Sequence, residues 1–485
     1  MARILFTHSY FYRFDPKQWK ARQPYPPYGT IYVAAVLREC GFEVDLFDTN
    51  LRHSAREIVP ALQSYRPKYL VIYDDGFNYL TKMCLTKMRE AAFQMAKHAK
   101  QEGCTVIVNS SDSTDHYRQY LQEGADFVVL GEGEITLREL IQALEAGVAD
   151  FSSIAGIAYS DAGQRTPPRP VLHDLDSLPD PAWDLVDMRA YQRIWLEHHG
   201  YFSLNLATTR GCPYKCNWCA KPIYGNRYNS RSPARVAAEI EMLIKRYGVR
   251  HFWMADDIFG LKPRWVQTFR DIVQEKKLHF AYKIQSRVDL LLKEDTIDAL
   301  VGSGLQQAWV GAESGSQAIL DAMDKGTTVE DIRQATGLLK QKGVEVCFFL
   351  QFGYLGETRA DIDKTIALVE ELLPHDIGIS VSYPLPGTGF YEKVKDLLGE
   401  KHNWSDSDDL AMLYPATFQP AFYRRLHRFV HKRFRLKQGE EQIRRFLRSG
   451  RCQLRRAALT FYYLPAAIID RWRLRRLETT AGRTQ

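Results

Sequence analysis

With 485 residues the chain has room for roughly three domains of ordinary size. Apolar residues at 45% and charged residues at 25% match a folded globular protein and exclude wholesale disorder. No apolar run approaches the roughly 18 residues of a membrane-spanning helix, and MARILFTHSY is too short of apolar residues for a signal peptide, so the expected location is cytoplasmic.

The net charge of +7 is uneven: residues 421–485 hold eighteen Lys+Arg against four Asp+Glu, leaving a mildly acidic body before a basic tail. In chain order, residues 1–150 alternate short apolar runs with helical patterns. The expected strands are Ile4–Thr7, Val44–Phe47, Leu70–Tyr73, Val106–Val108 and Phe127–Leu130. This alternation predicts a doubly wound parallel sheet, a Rossmann-like domain whose ligands sit beyond the carboxyl ends of its strands. Residues 151–195 read as a linker, with a hairpin-like segment at Ile154–Ser160 and then the stretch LDSLPDPAWDL.

Residues 196–400 alternate with a longer beat, the strands falling at Phe202–Ala207, His251–Ala255, Phe280–Gln285, Gln307–Ala312, Val344–Phe352 and Ile377–Tyr383. Six such units are too few for a closed eight-fold barrel and fit a partial (β/α)6 TIM barrel, with active groups at the strands' carboxyl ends. Residues 401–485 are helical in composition, completing an α/β protein with a basic helical tail.

Directly after the first barrel strand comes Thr209-Arg210-Gly211-Cys212-Pro213-Tyr214-Lys215-Cys216-Asn217-Trp218-Cys219. Eight cysteines are few for a disulfide scaffold, and three of them crowd this loop, which points to a metal. Three thiolates bind three irons of a cubane and leave the fourth open, as catalytic centres do. Arg210, Lys215 and Lys221 are expected either to favour the thiolates or to be solvated loop charges. A structural zinc site would need a second ligand pair; His198 and His199, read as strand neighbours, point to opposite faces and do not supply it.

This loop resembles the C-x3-C-x2-C segment of the radical S-adenosylmethionine (SAM) superfamily, with Trp218 matching the aromatic before the last cysteine. With the linker and later motifs, the chain resembles the subgroup carrying an N-terminal cobalamin-binding domain. That subgroup includes anaerobic magnesium-protoporphyrin ester cyclases and hopanoid-modifying enzymes. The resemblance implies a 4Fe–4S cluster on Cys212, Cys216 and Cys219, whose open iron chelates SAM. It further implies reductive cleavage of SAM to a deoxyadenosyl radical, fed by an external electron donor such as flavodoxin or ferredoxin. Val310-Gly311-Ala312-Glu313-Ser314-Gly315-Ser316 resembles the ribose-contacting segment, implying SAM contacts at Gly311, Glu313 and Ser314. Phe352-Gly353-Tyr354-Leu355-Gly356-Glu357-Thr358 resembles the fifth-strand segment, with Leu355 in place of the usual proline. Gly353 is its expected contact, and Glu357 alternatively caps the next helix. Pro386, in Tyr383-Pro384-Leu385-Pro386-Gly387-Thr388, is expected at the adenine, and Asp257 and Arg287 at the amino-acid end of SAM, alongside Asp256 and Ser286.

The layout of residues 1–150 matches a cobalamin domain, including PPYGTIYVAAVLREC and ADFVVLGEGE, yet no D-x-H-x-x-G supplies a lower axial histidine. Asp74-Asp75-Gly76 and Asn109-Ser110-Ser111-Asp112 stand where smaller residues are usual. Two readings stay open: cobalamin bound without that histidine, or a domain of this fold whose ligand is lost or altered.

The leading function is a radical SAM enzyme modifying an unactivated carbon of a small or lipid-like molecule, by cobalamin-dependent methyl transfer or cyclase-like chemistry. The alternatives are a methylthiotransferase acting on RNA or protein, and a non-catalytic iron–sulfur scaffold. Against the first, Cys40, Cys84 and Cys104 are not placed to form a second cluster. Tyr10, Phe11, Tyr12, Trp19, Tyr25 and Tyr28 either line a pocket or pack an interface. The tail, Arg424–Arg456 followed by the apolar run Ala457–Ile469, suits either peripheral membrane contact or a helical lid, and nucleic acid less well.

Overall fold

The computed structural model describes residues 2–83, 85–160, 162–221, 223–401, 403–407, 409–449 and 454–481. Cys84 and residues 450–453 of the basic stretch lie outside the described residues.

The first sheet contains β1 (Arg3–Thr7), β2 (Glu43–Phe47), β3 (Tyr69–Tyr73), β4 (Thr105–Asn109), β5 (Phe127–Val129), β6 (Ile157–Tyr159) and β7 (Gln164–Arg165). Its order is β2-β1-β3-β4-β5-β6-β7. The first five strands run parallel, and the β6–β7 hairpin adds antiparallel at the edge. The hairpin expected in the linker is thus an extension of this sheet. β3 is buried along its whole length, as a strand covered on both faces requires.

The second sheet is the barrel: β8 (Ser203–Leu206), then β9 (Thr209–Arg210) and β10 (Asn229–Ser230), which pair in a small ribbon around the cysteine loop. β11 (His251–Met254), β12 (Ala281–Ser286), β13 (Leu305–Glu313), β14 (Glu345–Phe352) and β15 (Asp376–Val381) follow. The order β15-β14-β13-β12-β11-β8 is parallel throughout and leaves β15 and β8 as separate edges, so the six-stranded arc is open.

One apolar core runs through both units. Tyr28, Tyr32, Phe77, Trp183 and Tyr224 pack together where the first sheet meets the barrel. Tyr10, Tyr12 and Tyr28 are buried in this shared core and Phe11 in a separate core of the first sheet, which makes them packing residues rather than pocket lining. Trp19 lies between the Arg13 and Arg22 guanidinium groups.

His198 and His199 end the helix Met188–His199, correcting their reading as strand neighbours; Gly200 closes that helix at positive φ. Two long helices, Pro420–Ser449 and Leu454–Ala481, form the tail and pack against each other. No helix among the described residues is long and apolar enough to cross a membrane.

Candidate functional site

The cysteine loop leaves the carboxyl end of the barrel through Gly211, at φ 78°. A Cβ there would stand 2.2 Å from the Arg227 carbonyl oxygen, so only glycine fits. Cys212, Cys216 and Cys219 are unpaired and half-buried. Burial raises Cys212 and pushes Cys219 up to about 12, with the Asp257 charge adding to both shifts and Lys221 opposing them. A metal bound here must therefore displace thiol protons. Among the described residues no three His, Cys, Asp or Glu side chains surround a single ion. Thiols that each hold a different corner of a cubane need not converge on one point.

Asn217, which sequence reasoning passed over, fastens this loop to three strand ends. Its amide donates to the Ala322 carbonyl at 2.8 Å, its side-chain oxygen accepts from the Tyr354 hydroxyl at 2.8 Å, and its carbonyl accepts from Phe390 N–H at 2.7 Å. Those partners follow β13, β14 and β15, so the loop is tied to the barrel before any metal enters.

Beside Cys216 the Arg287 guanidinium reaches the sulfur at 3.7 Å, lies over the Tyr214 ring at 3.8 Å and is held by Asp289 at 2.9 Å. Glu313 ends β13 with φ 56°, a left-handed conformation rare outside glycine. Its carboxylate accepts from Lys325 Nζ at 2.9 Å, and both side chains are buried. Lys325 also faces the Trp218 ring at 5.9 Å, and the Glu313 carboxylate holds it charged although burial opposes that charge. At Gly311 a Cβ would stand 2.6 Å from both the Glu313 oxygen and Lys325 Nζ. No residue pattern announced Lys325, because its role depends on the chain folding back beneath β13.

The structure therefore gathers Cys216, Arg287, Gly311, Glu313 and Lys325, with Asp257 acting on the neighbouring thiols. Other expected contacts stand differently. The Ser314 hydroxyl meets Thr365 Oγ1 at 3.1 Å, against the helix Arg359–Leu372. Gly353 is covered by Met412 and Tyr423. Pro386 is exposed on the turn whose Gly389 abuts Asn217. The Asp256 carboxylate is taken by the Thr208 and Thr209 amides at 2.7 and 2.6 Å, and Ser286 Oγ donates to the Phe259 carbonyl at 3.2 Å.

Two expectations are corrected. Arg210 serves no thiolate: it turns into the interface, donating to Glu134 at 2.7 Å and to Glu132, with Tyr224 5.2 Å away. Thr358, not Glu357, caps the following helix, accepting from Asp361 N–H. Glu357 is fully buried and accepts from Gly353 N–H at 2.6 Å; burial raises its carboxyl to about 8.

At the carboxyl edge of the first sheet lies a narrow crevice, too tight for a water molecule, lined by Tyr73, Asp74, Gly76, Asn109, Ile223 and Tyr224 among others. Its polar groups are engaged. Asp74 accepts from Ser9 N–H at 2.6 Å and Ser9 Oγ at 2.8 Å, and the Asn109 amide donates to the Val129 and Gly131 carbonyls at 3.0 and 2.9 Å. Asp75 accepts from Gly29 N–H at 3.1 Å. As it stands the crevice is filled by its own lining; a corrin enters only if Ile223 and Tyr224, which come from the barrel's cysteine loop, withdraw.

A parallel sheet feeding an open six-stranded barrel, with three thiols at the barrel's mouth, defines a class that family comparison states outright. The radical SAM superfamily model matches residues 206–369, and the B12 binding domain model matches residues 19–141. The chain carries a radical SAM domain preceded by a B12-binding domain, and it is an enzyme. Its cofactors are accordingly a 4Fe–4S cluster, SAM and cobalamin.

Among curated relatives, an uncharacterized methyltransferase of Pyrococcus horikoshii is 27% identical over 381 residues, covering 76% of this chain and 78% of its own. The anaerobic magnesium-protoporphyrin IX monomethyl ester cyclase of Rubrivivax gelatinosus is 26% identical over 415 residues, covering 83% and 72%. In fold, the chain is similar to the cobalamin-dependent SAM radical enzyme OxsB, with a TM-score of 0.71 at 16% identity, covering 98% of this chain and 72% of that one.

Proposed function

We propose that this enzyme modifies an unactivated carbon of a small molecule by cobalamin-dependent methyl transfer, with oxidative cyclase-like chemistry as the second reading. The methyltransferase and cyclase activities named for its relatives support these two outcomes. The observation that carries the reading is the placement of Cys216 beside Arg287 with the Glu313–Lys325 pair at the same barrel mouth.

Cys212, Cys216 and Cys219 are the proposed cluster ligands. When bound, the cluster supplies one electron to cleave SAM into methionine and a carbon radical, and cobalamin supplies a methyl group. Glu313 is placed to accept from ribose hydroxyls, Gly311 to let SAM approach, and Arg287 and Asp257 to meet its carboxylate and amino group. Gly353 and Ser314 act one layer out, holding the loops; Pro386 offers the turn expected at adenine. Electrons come from an external donor of the flavodoxin or ferredoxin kind in the cytoplasm.

Anaerobically reconstituted protein is expected to contain about four irons per chain and to cleave SAM to 5′-deoxyadenosine with a strong reductant. The triple variant Cys212→Ala, Cys216→Ala, Cys219→Ala should lose both. Retention of cluster and cleavage in that variant would remove the assignment.

We further propose that the tail attaches the enzyme peripherally to a membrane. Phe461 is 79% exposed, Ile468 61% and Trp472 52%, on one face of a helix whose other face carries buried Asp470 and Leu474. Arg471, Arg473, Arg475 and Arg476 stand exposed at the end of this apolar face, suiting an anionic headgroup layer. Full-length protein should float with anionic liposomes at low salt, and protein lacking residues 421–485 should not. A full-length protein that stays in the soluble fraction would leave the tail as a lid.

A further inference from the structure

Closed barrels fill their interior with layers of inward side chains. In this open arc the inward positions of β12 and β15 stay half-exposed, while the alternate positions pack against the helices. β12 and β15 alternate half-buried and buried residues along their whole length. The inward set includes Trp253, Lys283, Gln285, Trp309 and Phe349, all half-buried. Trp309 stacks on Phe349 with ring centroids 4.7 Å apart, and a Cβ on Gly378 would stand 3.3 Å from both rings. The lumen is therefore walled by aromatic faces.

Near its floor stands one ammonium. Lys283 Nζ lies 5.2 Å from the Tyr25 ring centroid and 5.1 Å from that of Trp253. Among the described residues it makes no ion pair and no hydrogen bond. Burial lowers its pKa to about 8, and the groups acting on it besides are the Tyr201 phenol and the Cys347 thiol. His251, also close by, has its Nδ1 on Ser203 Oγ at 2.8 Å. A cation held without a counter-charge between aromatic faces is a poor structural element. It is a good receptor for an anion that arrives with its own apolar body.

The geometry points to the lumen as the substrate site and to Lys283 as the group that receives a carboxylate or phosphate on a flat, largely apolar substrate. This rests on the enzymatic reading above and names its substrate class. Ser286 lies three residues along β12, so the anion would dock about 10 Å below the barrel mouth, leaving the apolar body against the stacked Trp309–Phe349 pair.

The test uses the full-length reconstituted protein and three naphthalene probes: 2-naphthoate, 1-naphthyl phosphate and the uncharged 2-naphthalenemethanol, each titrated by calorimetry. Lys283→Met is expected to weaken both anions by about tenfold and leave the alcohol unchanged, since a charge-assisted hydrogen bond is lost. Lys283→Arg, which keeps the charge, should stay within about threefold of the wild type. Trp309→Ala should weaken all three probes. The tighter of the two anions in the wild type identifies the natural headgroup.

Equal anion binding by Lys283→Met and wild type, or no probe binding by wild type, overturns the inference. Iron content and circular dichroism check the fold of each variant. The two readings fail separately. Patterned probe binding without SAM cleavage by the wild type keeps the lumen site and removes the proposed reaction, whereas cleavage without probe binding does the reverse.

Discussion

The two parallel sheets both end in polar loops at their carboxyl edges, yet they treat those edges oppositely. In the first sheet Asp74, Asp75 and Asn109 are taken up by neighbouring amides, hydroxyls and carbonyls, and no space for a water molecule remains between them. In the barrel, the thiols, Gly311 and the inward aromatic residues stay half-exposed. The six-stranded arc leaves β15 and β8 unpaired with each other, so its site is open by construction. A flat sheet pressed against another domain opens only where its cover moves. The cover and the barrel site are parts of one segment, because Ile223 and Tyr224 follow Cys219 by only a few residues.

Breaking the joint between the two sheets should have the largest effect. Arg210 is buried between Glu132 and Glu134, whose carboxylates hold it charged although burial opposes that charge. Removing one partner of such a buried pair leaves uncompensated charge and costs about 3–5 kcal/mol. Arg210→Met is expected to lower unfolding stability in urea by that amount, with Arg210→Lys intermediate. A loss under about 1 kcal/mol would show that apolar packing alone joins the two domains.

A second contrast lies within the barrel, where Glu357 is buried with one oxygen on Gly353 N–H and the other without a hydrogen-bond partner. Its folded-state pKa of about 8 lies above the unfolded value, because burial disfavours the carboxylate. The folded state therefore binds this proton more tightly. The associated stability is full below about pH 4.5 and is lost as pH rises through about 8. Glu357→Gln should raise the urea midpoint at pH 9 and leave it nearly unchanged at pH 4. Equal effects at both pH values would mean that the carboxyl titrates normally.

At the mouth of the barrel, Glu313 is proposed to hold SAM while it also neutralises Lys325. Glu313→Gln keeps the shape and removes the charge. Losing a charge-assisted hydrogen bond costs about 1.5–3 kcal/mol, or roughly ten- to a hundred-fold in SAM affinity, with iron content retained. The double variant with Lys325→Met separates that loss from the cost of an unpaired lysine. Unchanged SAM affinity in Glu313→Gln would take the residue out of the site.

How much of this was legible in the sequence follows from the range of the forces involved. Strands such as Ile4–Thr7 and Val344–Phe352 are marked by apolar runs between turn residues, and they fall where expected to within two residues. The cysteine loop was legible because three thiols in eight positions are rare by chance. Arg210 was misjudged because its partners lie 76 and 78 positions away, so proximity to Cys212 in sequence was misleading. Asn217 and Lys325 act through contacts with distant strand ends, which leave no periodic trace. Glu357 and Thr358 are neighbours with opposite fates, one buried and one capping, and only the path of the helix Arg359–Leu372 decides between them. The half-exposed lumen was implicit in the count of six strands, but the ammonium within it was not.

The smallest expected effect is kinetic and concerns the cover itself. Near the crevice both ring nitrogens of His8 are engaged, with Nε2 3.0 Å from Asp48 and Nδ1 3.1 Å from Thr49 Oγ1, so this histidine is not free to ligate cobalt. Hydroxocobalamin should therefore bind the purified protein with a base-off spectrum at micromolar concentration. Since the present crevice is too small for a corrin, entry requires displacement of Ile223 and Tyr224, and association that waits on a conformational change is slow. Tyr224 is also bound into the joint, stacking on Phe77 at 5.3 Å, so truncating it would disturb both features at once. Ile223→Ala thins the cover alone. It is expected to raise the stopped-flow association rate several-fold while leaving the base-off spectrum unchanged. Identical rates in the variant and the wild type would show that the cover does not gate entry. The contrast between a closed edge and an open barrel would then belong to packing rather than to function.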